Sequence, residues 1–187
     1  DGADLVVSYG GDGTVMEVAD GLVGTGVPQL ILSGGTGNLV ANELGIHYDL
    51  EKALKLITGE QVTTREIDLG RMGDQHFLLR IGCGFETSIL QESNRERKKQ
   101  FGKLAYVFGT VKALREMKTA KYKITLDDDH VIEDEGIACF VANAGSIGID
   151  QLVLAPGIDI DDGKLDVIFL KEADFEGLFQ AMKMMTG

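Results

Sequence analysis

Tryptophan is absent from this chain of 187 residues, and proline and cysteine occur only twice each. Cys83 and Cys139 lie in apolar segments without the spacing of a metal or redox motif, so we expect buried free thiols in a reducing compartment. No apolar run approaches the ~18 residues of a membrane-spanning helix. Residues 1–4 lack the positive charge that opens a secretory signal. These absences favour a cytoplasmic globular protein.

Positive charge is scarce over the chain as a whole. The formal net charge is −12, which argues against broad binding of nucleic acid, and we expect no nucleic-acid partner. Between residues 94 and 123, however, ten Lys or Arg residues stand against two acids, so this segment carries +8 and the remainder −20. An asymmetry of this size requires a structural or functional reason.

Glycine, in contrast, is frequent, with 25 residues, many of them inside apolar segments. In the first third of the chain, two short apolar runs each end in a glycine pair and lead into a segment of helical periodicity. The predicted elements are a strand at residues 5–9, a helix at 14–22, a strand at 30–32, and helices at 38–44 and 50–57. This alternation is typical of a parallel α/β sheet with buried strands.

The second part of the chain has a different rhythm. Strands are predicted at residues 63–72, 75–82, 122–126, 131–143 and 164–170, with an inserted helical region at 86–118 and a last helix at 175–185. Polar and apolar residues alternate around Tyr122, which indicates an antiparallel sheet with one face in solvent. We therefore predict an α/β domain at residues 1–62 and a second domain at 63–187, and we expect both to continue beyond the ends of the chain.

The first glycine turn, Gly10–Thr14, follows a strand and opens a helix. Backbone amides at such a turn can close on phosphate oxygens, and the helix N-terminus adds favourable partial charge. Thr14 and Glu17 match a capping box, with Thr14 as the predicted N-cap. Asp12 is placed to hold Mg²⁺ directly or through water. The alternative is an ordinary glycine turn before a well-capped helix.

The second glycine turn, Ser33–Asn38, repeats this arrangement one strand later. Because the carboxyl ends of parallel strands share one edge of a sheet, the two turns are predicted to lie side by side. Thr36 is a candidate cap of the following helix, and Asn38 is a candidate to orient Asp12 or a ligand hydroxyl. Two adjacent turns of this kind favour a nucleotide site.

The charge near these turns supports a metal ion. Residues 1–61 contain nine acids and two bases, and neither turn continues as the Gly-Lys-Ser/Thr of a P-loop. The charge of a polyphosphate must then be met by backbone amides, Mg²⁺ and bases from elsewhere. The candidate bases are Arg65, Arg71 and Arg80, although each can also be a solvated strand residue.

Five segments of the chain carry patterns that together are specific. They are GGDGTVMEV at residues 10–18, SGGTGNLVANELG at 33–45, RIGCGFET at 80–87, KLAY at 103–106, and the stretch from Ala155 to Val167 that ends in DGKLDV. In this order they resemble the diacylglycerol kinase catalytic-domain family of bacterial, YegS-like lipid kinases. The resemblance runs from residue 4 to residue 171.

The resemblance implies a partial Rossmann-like nucleotide domain, similar to those of NAD kinases and phosphofructokinases, followed by an antiparallel β-sandwich domain with inserted helices. It implies transfer of the γ-phosphate of ATP, with Mg²⁺, to a lipid hydroxyl such as that of diacylglycerol. Asp12 would be catalytic and serve Mg²⁺, and Asp162 would hold a second ion, although an ordinary turn carboxylate explains Asp162 equally well. The residues implied in cofactor binding are Gly10, Gly11, Asp12, Gly13, Thr14, Glu17, Gly35, Thr36, Gly37 and Asn38.

The chain also departs from the family pattern. Ser33 stands where members often have proline, and Leu39 stands where they often have aspartate, which removes a polar contact. The family's later Asp-Gly-Glu motif, whose aspartate is its proposed general base, is expected in a C-terminal segment outside this chain.

A lipid kinase must reach its substrate at a membrane surface, which gives the basic segment at residues 95–123 a candidate purpose. Each Lys or Arg near an anionic surface contributes about 1 kcal/mol to binding. We therefore expect a cytoplasmic protein that is peripheral at the membrane; a solvated basic face is the alternative. An exposed sheet edge would allow a homodimer. Two other functions stay open, an NAD kinase-like enzyme and a non-catalytic nucleotide-binding module.

Overall fold

The computed structural model describes residues 2–59, 63–84, 118–127, 129–146 and 154–171 of the chain. The chain folds into two compact units, one made of residues 1–81 and 141–166, the other of residues 82–140 and 167–187. The second unit therefore interrupts the first in sequence. The predicted domain boundary after residue 62 stays a prediction.

The first unit begins with the predicted alternation of strands and helices. Its elements are β1 (Val6–Gly10), α1 (Asp12–Leu22), β2 (Gln29–Ser33), α2 (Leu39–Glu43) and α3 (Leu50–Thr58). β1 and β2 pair in parallel with Gly10 opposite Ser33, which confirms the predicted parallel pairing at these two strands. The Rossmann-like character of a complete domain stays a prediction.

The core of this part lies where α1 and α2 pack on β2. Its buried apolar cluster consists of Val15, Ile31, Val40, Ala41 and Leu78. β1 is covered less than the sequence predicted, because Val7 and Tyr9 are exposed to 46% and 65% while Ser8 between them is buried. Since successive strand residues point to opposite faces, only one face of β1 is buried, and the prediction of a fully buried strand is wrong there.

The first unit continues in a short antiparallel hairpin. β3 (Gly70–Met72) and β4 (Gln75–Phe77) are joined through Gly73, whose φ of +61° suits a tight turn. Residues 63–69, predicted as the first part of this strand, are not in a strand. Asp68 instead bonds to the loop at 159–163, since its amide donates to the Ile160 carbonyl at 2.8 Å and its Oδ2 accepts from the Gly163 amide at 2.6 Å.

The predicted strand at residues 75–82 is interrupted at its centre. The carbonyl of Leu79 accepts from the amides of Asn143 and Ala144 at 2.8 and 3.1 Å. The carbonyl of Leu78 accepts from the side-chain amide of Asn143 at 2.9 Å. These bonds replace a regular ladder, and the strand resumes as β5 (Arg80–Cys83).

The second unit contains the predicted antiparallel hairpin, β6 (Ala120–Thr125) paired with β7 (Val131–Gly136). The predicted strand at 131–143 is two strands, because β7 ends at residue 136 and β8 (Ala138–Ala142) follows. The amide of Ile137, between them, donates to the carbonyl of Leu170 at the end of β9 (Asp166–Leu170) at 2.8 Å. β5, β8 and β9 form a three-stranded sheet in that order.

Side chains alternate on β6 as predicted, with Tyr122 half-buried between two exposed lysines. The rings of Tyr122 and Phe169 pack in a T-shaped arrangement with their centroids 5.2 Å apart. Among the described residues, no helix is long and apolar enough to cross a membrane. The predicted helical insertion, up to residue 117, and the predicted helix at 175–185 lie outside those residues.

Candidate functional site

The two glycine turns lie against each other at the carboxyl ends of β1 and β2. The amide of Gly34 donates to the carbonyl of Gly10 at 2.8 Å. A Cβ on Gly35 would overlap the Cα of Gly11, and a Cβ on Gly11 would lie 3.3 Å from the Cα of Gly35. The predicted adjacency of the turns is confirmed, and it explains why side chains are excluded at the contact.

Asn38 closes the second turn. Its Oδ1 accepts from the Gly35 amide and its Nδ2 donates to the Gly35 carbonyl, both at 2.9 Å. The residue has φ +50° and ψ +44°, a left-handed conformation that asparagine tolerates better than most residues. The side chain therefore fixes the turn itself, and its predicted role in orienting Asp12 or a ligand hydroxyl stays a prediction.

Asp12 connects the first turn to the helix that follows the second. Its Oδ1 accepts a hydrogen bond from the backbone amide of Val40 at 3.0 Å, so it caps the N-terminus of α2 from a distant part of the chain. The side chain of the N-cap residue, Asn38, makes no capping bond, and the predicted capping role of Thr36 is wrong. A Cβ on Gly37 would lie 3.0 Å from Oδ2 of Asp12, which places that oxygen beside the second turn.

Helix α1 begins at Asp12, earlier than predicted, with Gly11 as its N-cap and no side-chain capping bond. The predicted capping box is therefore wrong, and Thr14 is the third residue of the helix. The Thr14 hydroxyl covers Gly10, where an added Cβ would lie 2.6 Å from Oγ1. Glu17 is exposed. Amides in the first turn of a helix have no carbonyl partner within it, so they suit an anion.

The three candidate bases each have partners away from the turns. Arg65 Nε donates to Asp161 at 2.5 Å, and its NH2 group lies 3.4 Å from Asp159. The hydrogen bond from Arg65 lowers the pKa of Asp161 to about 2. Arg71 Nε donates to the Gly73 carbonyl at 2.7 Å. Arg80 donates to the carbonyl of Ser146 at 2.8 Å.

The geometry around Asp162 is that of a turn carboxylate. Its Oδ1 accepts from the Lys164 amide at 3.0 Å, and its Oδ2 lies 3.2 Å from the Lys164 ammonium. Within the described ranges, no group of three or more His, Cys, Asp or Glu residues is arranged to hold a metal ion. The second ion at Asp162 stays a prediction.

Sequence reasoning missed the residues that hold the other end of α2. Glu43 Oε2 accepts from the Ser146 amide at 2.7 Å, and Asn42 Nδ2 donates to the Ser146 hydroxyl at 3.0 Å. Ser146 is 5% exposed. These contacts join residues more than a hundred positions apart, and no local pattern in the sequence signals them.

Comparison with known proteins identifies the family to which each part of the chain is similar. Residues 1–72 match the family described as "Diacylglycerol kinase catalytic domain", and residues 80–187 match "YegS C-terminal NAD kinase beta sandwich-like domain". The chain is 33% identical to the "Probable lipid kinase YegS-like" of Pseudomonas putida, covering 90% of this chain and 56% of that protein. It is 30% identical to the "Diacylglycerol kinase" of Bacillus subtilis, covering 97% of this chain and 59% of that protein.

A solved structure agrees with these relatives. The crystal structure of a diacylglycerol kinase from Bacillus anthracis str. Sterne matches with a TM-score of 0.70 at 33% identity, covering 96% of this chain and 57% of that one. The chain is thus a mixed α/β protein, and its second part matches a family described as β-sandwich-like. The chain belongs to the family of diacylglycerol kinases and YegS-like lipid kinases, as its motifs predicted. It spans about half the length of the curated relatives it matches.

Proposed function

We propose that this chain carries the nucleotide-binding part of an ATP-dependent lipid kinase, with diacylglycerol as the first candidate acceptor. The observation that carries the proposal is the pair of glycine turns in direct contact at the carboxyl ends of two parallel strands. Open α/β sheets bind ligands at that edge. Relatives named diacylglycerol kinase and lipid kinase supply the acceptor class.

The two turns suit a polyphosphate because glycines, which have no side chain, stand where the turns meet. A ligand can therefore approach the backbone amides closely. Gly35 leaves no room for a Cβ between the two turns, and a Cβ on Gly11 would make a tight contact there. The first-turn amides of α1, at residues 12–14, and the positive end of the helix then provide donors and partial charge for phosphate oxygens. These groups orient the phosphates without a P-loop lysine.

Asp12 fits a Mg²⁺ ion that is shared with the phosphates. Mg²⁺ commonly binds through one or two carboxylates together with substrate phosphates, and it does not need a dedicated cage of side chains. Oδ1 of Asp12 is bonded to the Val40 amide, and Oδ2 lies beside Gly37 at the second turn. When bound there, the ion would neutralise charge on the transferred phosphoryl group.

The chain's own residues would act in the transfer by positioning and charge stabilisation. The turns hold the phosphates and Asp12 orients the cation, so that a lipid hydroxyl can attack in line. We assign no general base within the described residues. Asp162 takes no part in the proposal, because both of its oxygens are engaged by Lys164.

The direct experiment uses the full-length protein that contains this chain. It is incubated with γ-labelled ATP, Mg²⁺ and mixed micelles of diacylglycerol and phosphatidylglycerol, with NAD in a parallel reaction, and the products are separated. Label on a lipid supports the proposal and identifies the acceptor. Label on NAD would assign the chain to the NAD kinase-like alternative. ATP binding without transfer to any acceptor would leave a non-catalytic nucleotide-binding module.

We also propose that residues 95–123 dock on anionic membrane. Among the described lysines of this segment, Lys121 lies 3.8 Å from Glu135 and Lys123 lies 3.4 Å from Glu133, so these two are partly neutralised within the hairpin. Docking would therefore depend on the other bases. Co-sedimentation with vesicles should increase with anionic lipid content, and it should fall more in an Arg97→Glu/Lys98→Glu variant than in a Lys121→Glu/Lys123→Glu variant. Co-sedimentation that does not change with the anionic lipid content would contradict this docking proposal.

A further inference from the structure

The two cysteines of the chain lie on neighbouring strands of one sheet in the second unit. Cys83 is the last residue of β5, and Cys139 is the second residue of β8, the strand beside it. Sγ of Cys83 lies 3.7 Å from the carbonyl oxygen of Cys139. The sequence predicted two buried free thiols. Cys139 is buried, but Cys83 is exposed, and the prediction is wrong for Cys83.

Two glycines that flank Cys83 reveal how the strands are aligned. A Cβ on Gly82 would lie 2.7 Å from the ring of Phe140, and a Cβ on Gly84 would lie 3.1 Å from the Cα of Ala138. Residue numbers thus rise along β5 as they fall along β8. The strands are antiparallel at this point, and the residue between the two glycines, Cys83, lies opposite the residue between Ala138 and Phe140, Cys139.

Opposite residues of an antiparallel pair have side chains on the same face, with Cβ atoms about 4.5–5.5 Å apart. A disulfide requires Cβ atoms about 3.5–4.5 Å apart and Cα atoms about 4.4–6.8 Å apart, so a small local adjustment is sufficient. We propose that Cys83 and Cys139 form a modification site, at which a small disulfide such as oxidised glutathione converts the two thiols into a reversible disulfide within the chain. This proposal does not depend on the lipid kinase activity.

The chemistry balances through two exchange steps. The thiolate of Cys83 attacks one sulfur of oxidised glutathione, the bond between the two glutathione sulfurs breaks, and one glutathione thiolate leaves. Cys139, after losing its proton to solvent, then attacks the Cys83 sulfur and displaces the second glutathione thiolate. The two protein thiols are oxidised, the small disulfide is reduced to two thiols, and the released protons return to those thiols.

The surroundings of the two thiols differ in a way that sets the order of attack. Burial raises the pKa of Cys139, and the neighbouring Cys83 raises it further. A buried thiol of raised pKa starts an exchange poorly, whereas the exposed Cys83 is open to a reagent in solution. The hydroxyl of Tyr122 donates to the Cys83 carbonyl at 3.5 Å, which helps hold this end of β5 beside β8.

The experiment equilibrates the folded protein with oxidised and reduced glutathione, traps free thiols with an alkylating reagent, and maps the peptides by mass spectrometry without reduction. The expected result is a Cys83–Cys139 linked pair of peptides within one chain, which disappears when dithiothreitol is added. A stable glutathione adduct on Cys83 with Cys139 free, or a dimer joined through Cys83, would overturn the proposal, and so would two thiols that stay reduced.

Two single variants test the two exchange steps separately, and the unfolding temperature shows whether a variant is still folded. Cys139→Ala should leave a persistent glutathione adduct on Cys83, because nothing resolves it. Cys83→Ser changes an exposed side chain, and it should keep the unfolding temperature while preventing all modification of Cys139. Rapid modification of Cys139 in the folded Cys83→Ser variant would contradict the assigned order. Repeating the reaction in denaturant provides the control for proximity, since the linked pair should no longer dominate when the strands are separated.

Discussion

The carboxylate of Asp12 accepts a hydrogen bond from the backbone amide of Val40 at 3.0 Å, across 28 positions of sequence. Asp12 is the first residue of α1, and its side chain caps α2 and lies beside the second glycine turn. Its structural role and its proposed catalytic role can be separated, because asparagine keeps an acceptor oxygen and loses the charge.

We expect Asp12→Asn to fold with near-normal stability and to lose nearly all phosphoryl transfer in the full-length protein. Asp12→Ala should lose the activity and, in addition, about 1 kcal/mol of unfolding free energy, the usual cost of removing a helix cap. Urea denaturation and the labelled-ATP assay measure the two effects. Asp49→Ala is the matched control, since Asp49 caps α3 by accepting from the Lys52 amide at 3.1 Å. It should lose stability and keep activity; substantial turnover by Asp12→Asn would remove Asp12 from the mechanism.

The close approach of the turns gives a prediction for Gly35. A Cβ at this position would collide with backbone of Gly11 and lie 2.9 Å from Asn38 Oδ1, so Gly35→Ala must push the turns apart. We expect ATP affinity to fall at least tenfold, measured by calorimetric titration. Gly21→Ala is the control, because this glycine lies in α1 with open space around it. That change should stabilise the helix by about 0.5–1 kcal/mol and leave ATP binding unchanged. Equal affinity for ATP in both variants would argue against a ligand at these turns.

Two buried hydroxyls on neighbouring strands predict opposite effects of the same substitution. Ser33 Oγ is buried without a hydrogen-bond partner among the described residues. Ser8 Oγ donates to the Leu30 carbonyl at 3.4 Å and accepts from Gln29 Nε2 at 2.8 Å. Ser33→Ala should therefore be neutral or stabilising by up to about 1 kcal/mol, and Ser8→Ala should cost about 1 kcal/mol. Thermal unfolding of both variants checks this, and a larger loss for Ser33→Ala would reveal a bonded partner.

The ion pair between Arg65 and Asp161 predicts a change of stability in acid. The pKa of Asp161 is lowered from 3.8 to about 2, mainly by the hydrogen bond from Arg65. A carboxyl whose pKa is lower in the folded state contributes stability above its ordinary pKa and loses it as the pH falls toward about 2. Because both side chains are partly exposed to solvent, the effect should be small and should shrink in high salt.

Urea midpoints measured from pH 5 downward would detect this contribution as a loss of stability over about 3.8 to 2. Asp161→Asn should remove it, and Arg65→Gln should remove most of it, because a hydrogen bond with Asp159 also lowers the pKa of Asp161. The double variant should remove no more than Asp161→Asn alone. If the double variant loses the sum of the two single effects, the two residues act independently and the pair is not the cause.

The sequence allowed the glycine turns to be placed side by side, because short apolar runs that end in glycine and lead into helical periodicity define parallel strands with a common edge. The capping of α2 could not be read in the same way. Local pattern favoured Thr36 and a box from Thr14 to Glu17, whereas the structure uses Gly11 and the remote Asp12. A contact across many residues leaves no periodic signal in either of its two segments.

The predicted strand boundaries were wrong for a related reason. Residues 63–69 have strand-like composition, but Asp68 bonds to Ile160 and Gly163, which only the folded chain brings close. The exposure of Cys83 was likewise missed, because its apolar neighbours in sequence suggested burial, while its position at the end of β5 decides its environment. Local composition favoured a strand or burial in these segments. Contacts with distant parts of the chain determined the structure that they adopt.

Helix α2 has five residues, too few to be stable alone in water, and it is held by Asp12 at one end and by Ser146 at the other. Asp12 and Val40 are synthesised early, whereas Ser146 emerges from the ribosome more than a hundred residues after Glu43. Asn42 and Glu43 at the C-terminal end of α2 should therefore gain these partners only late in translation. A nascent chain that has not yet extended past this serine should hold α2 at its N-terminal end alone, through Asp12.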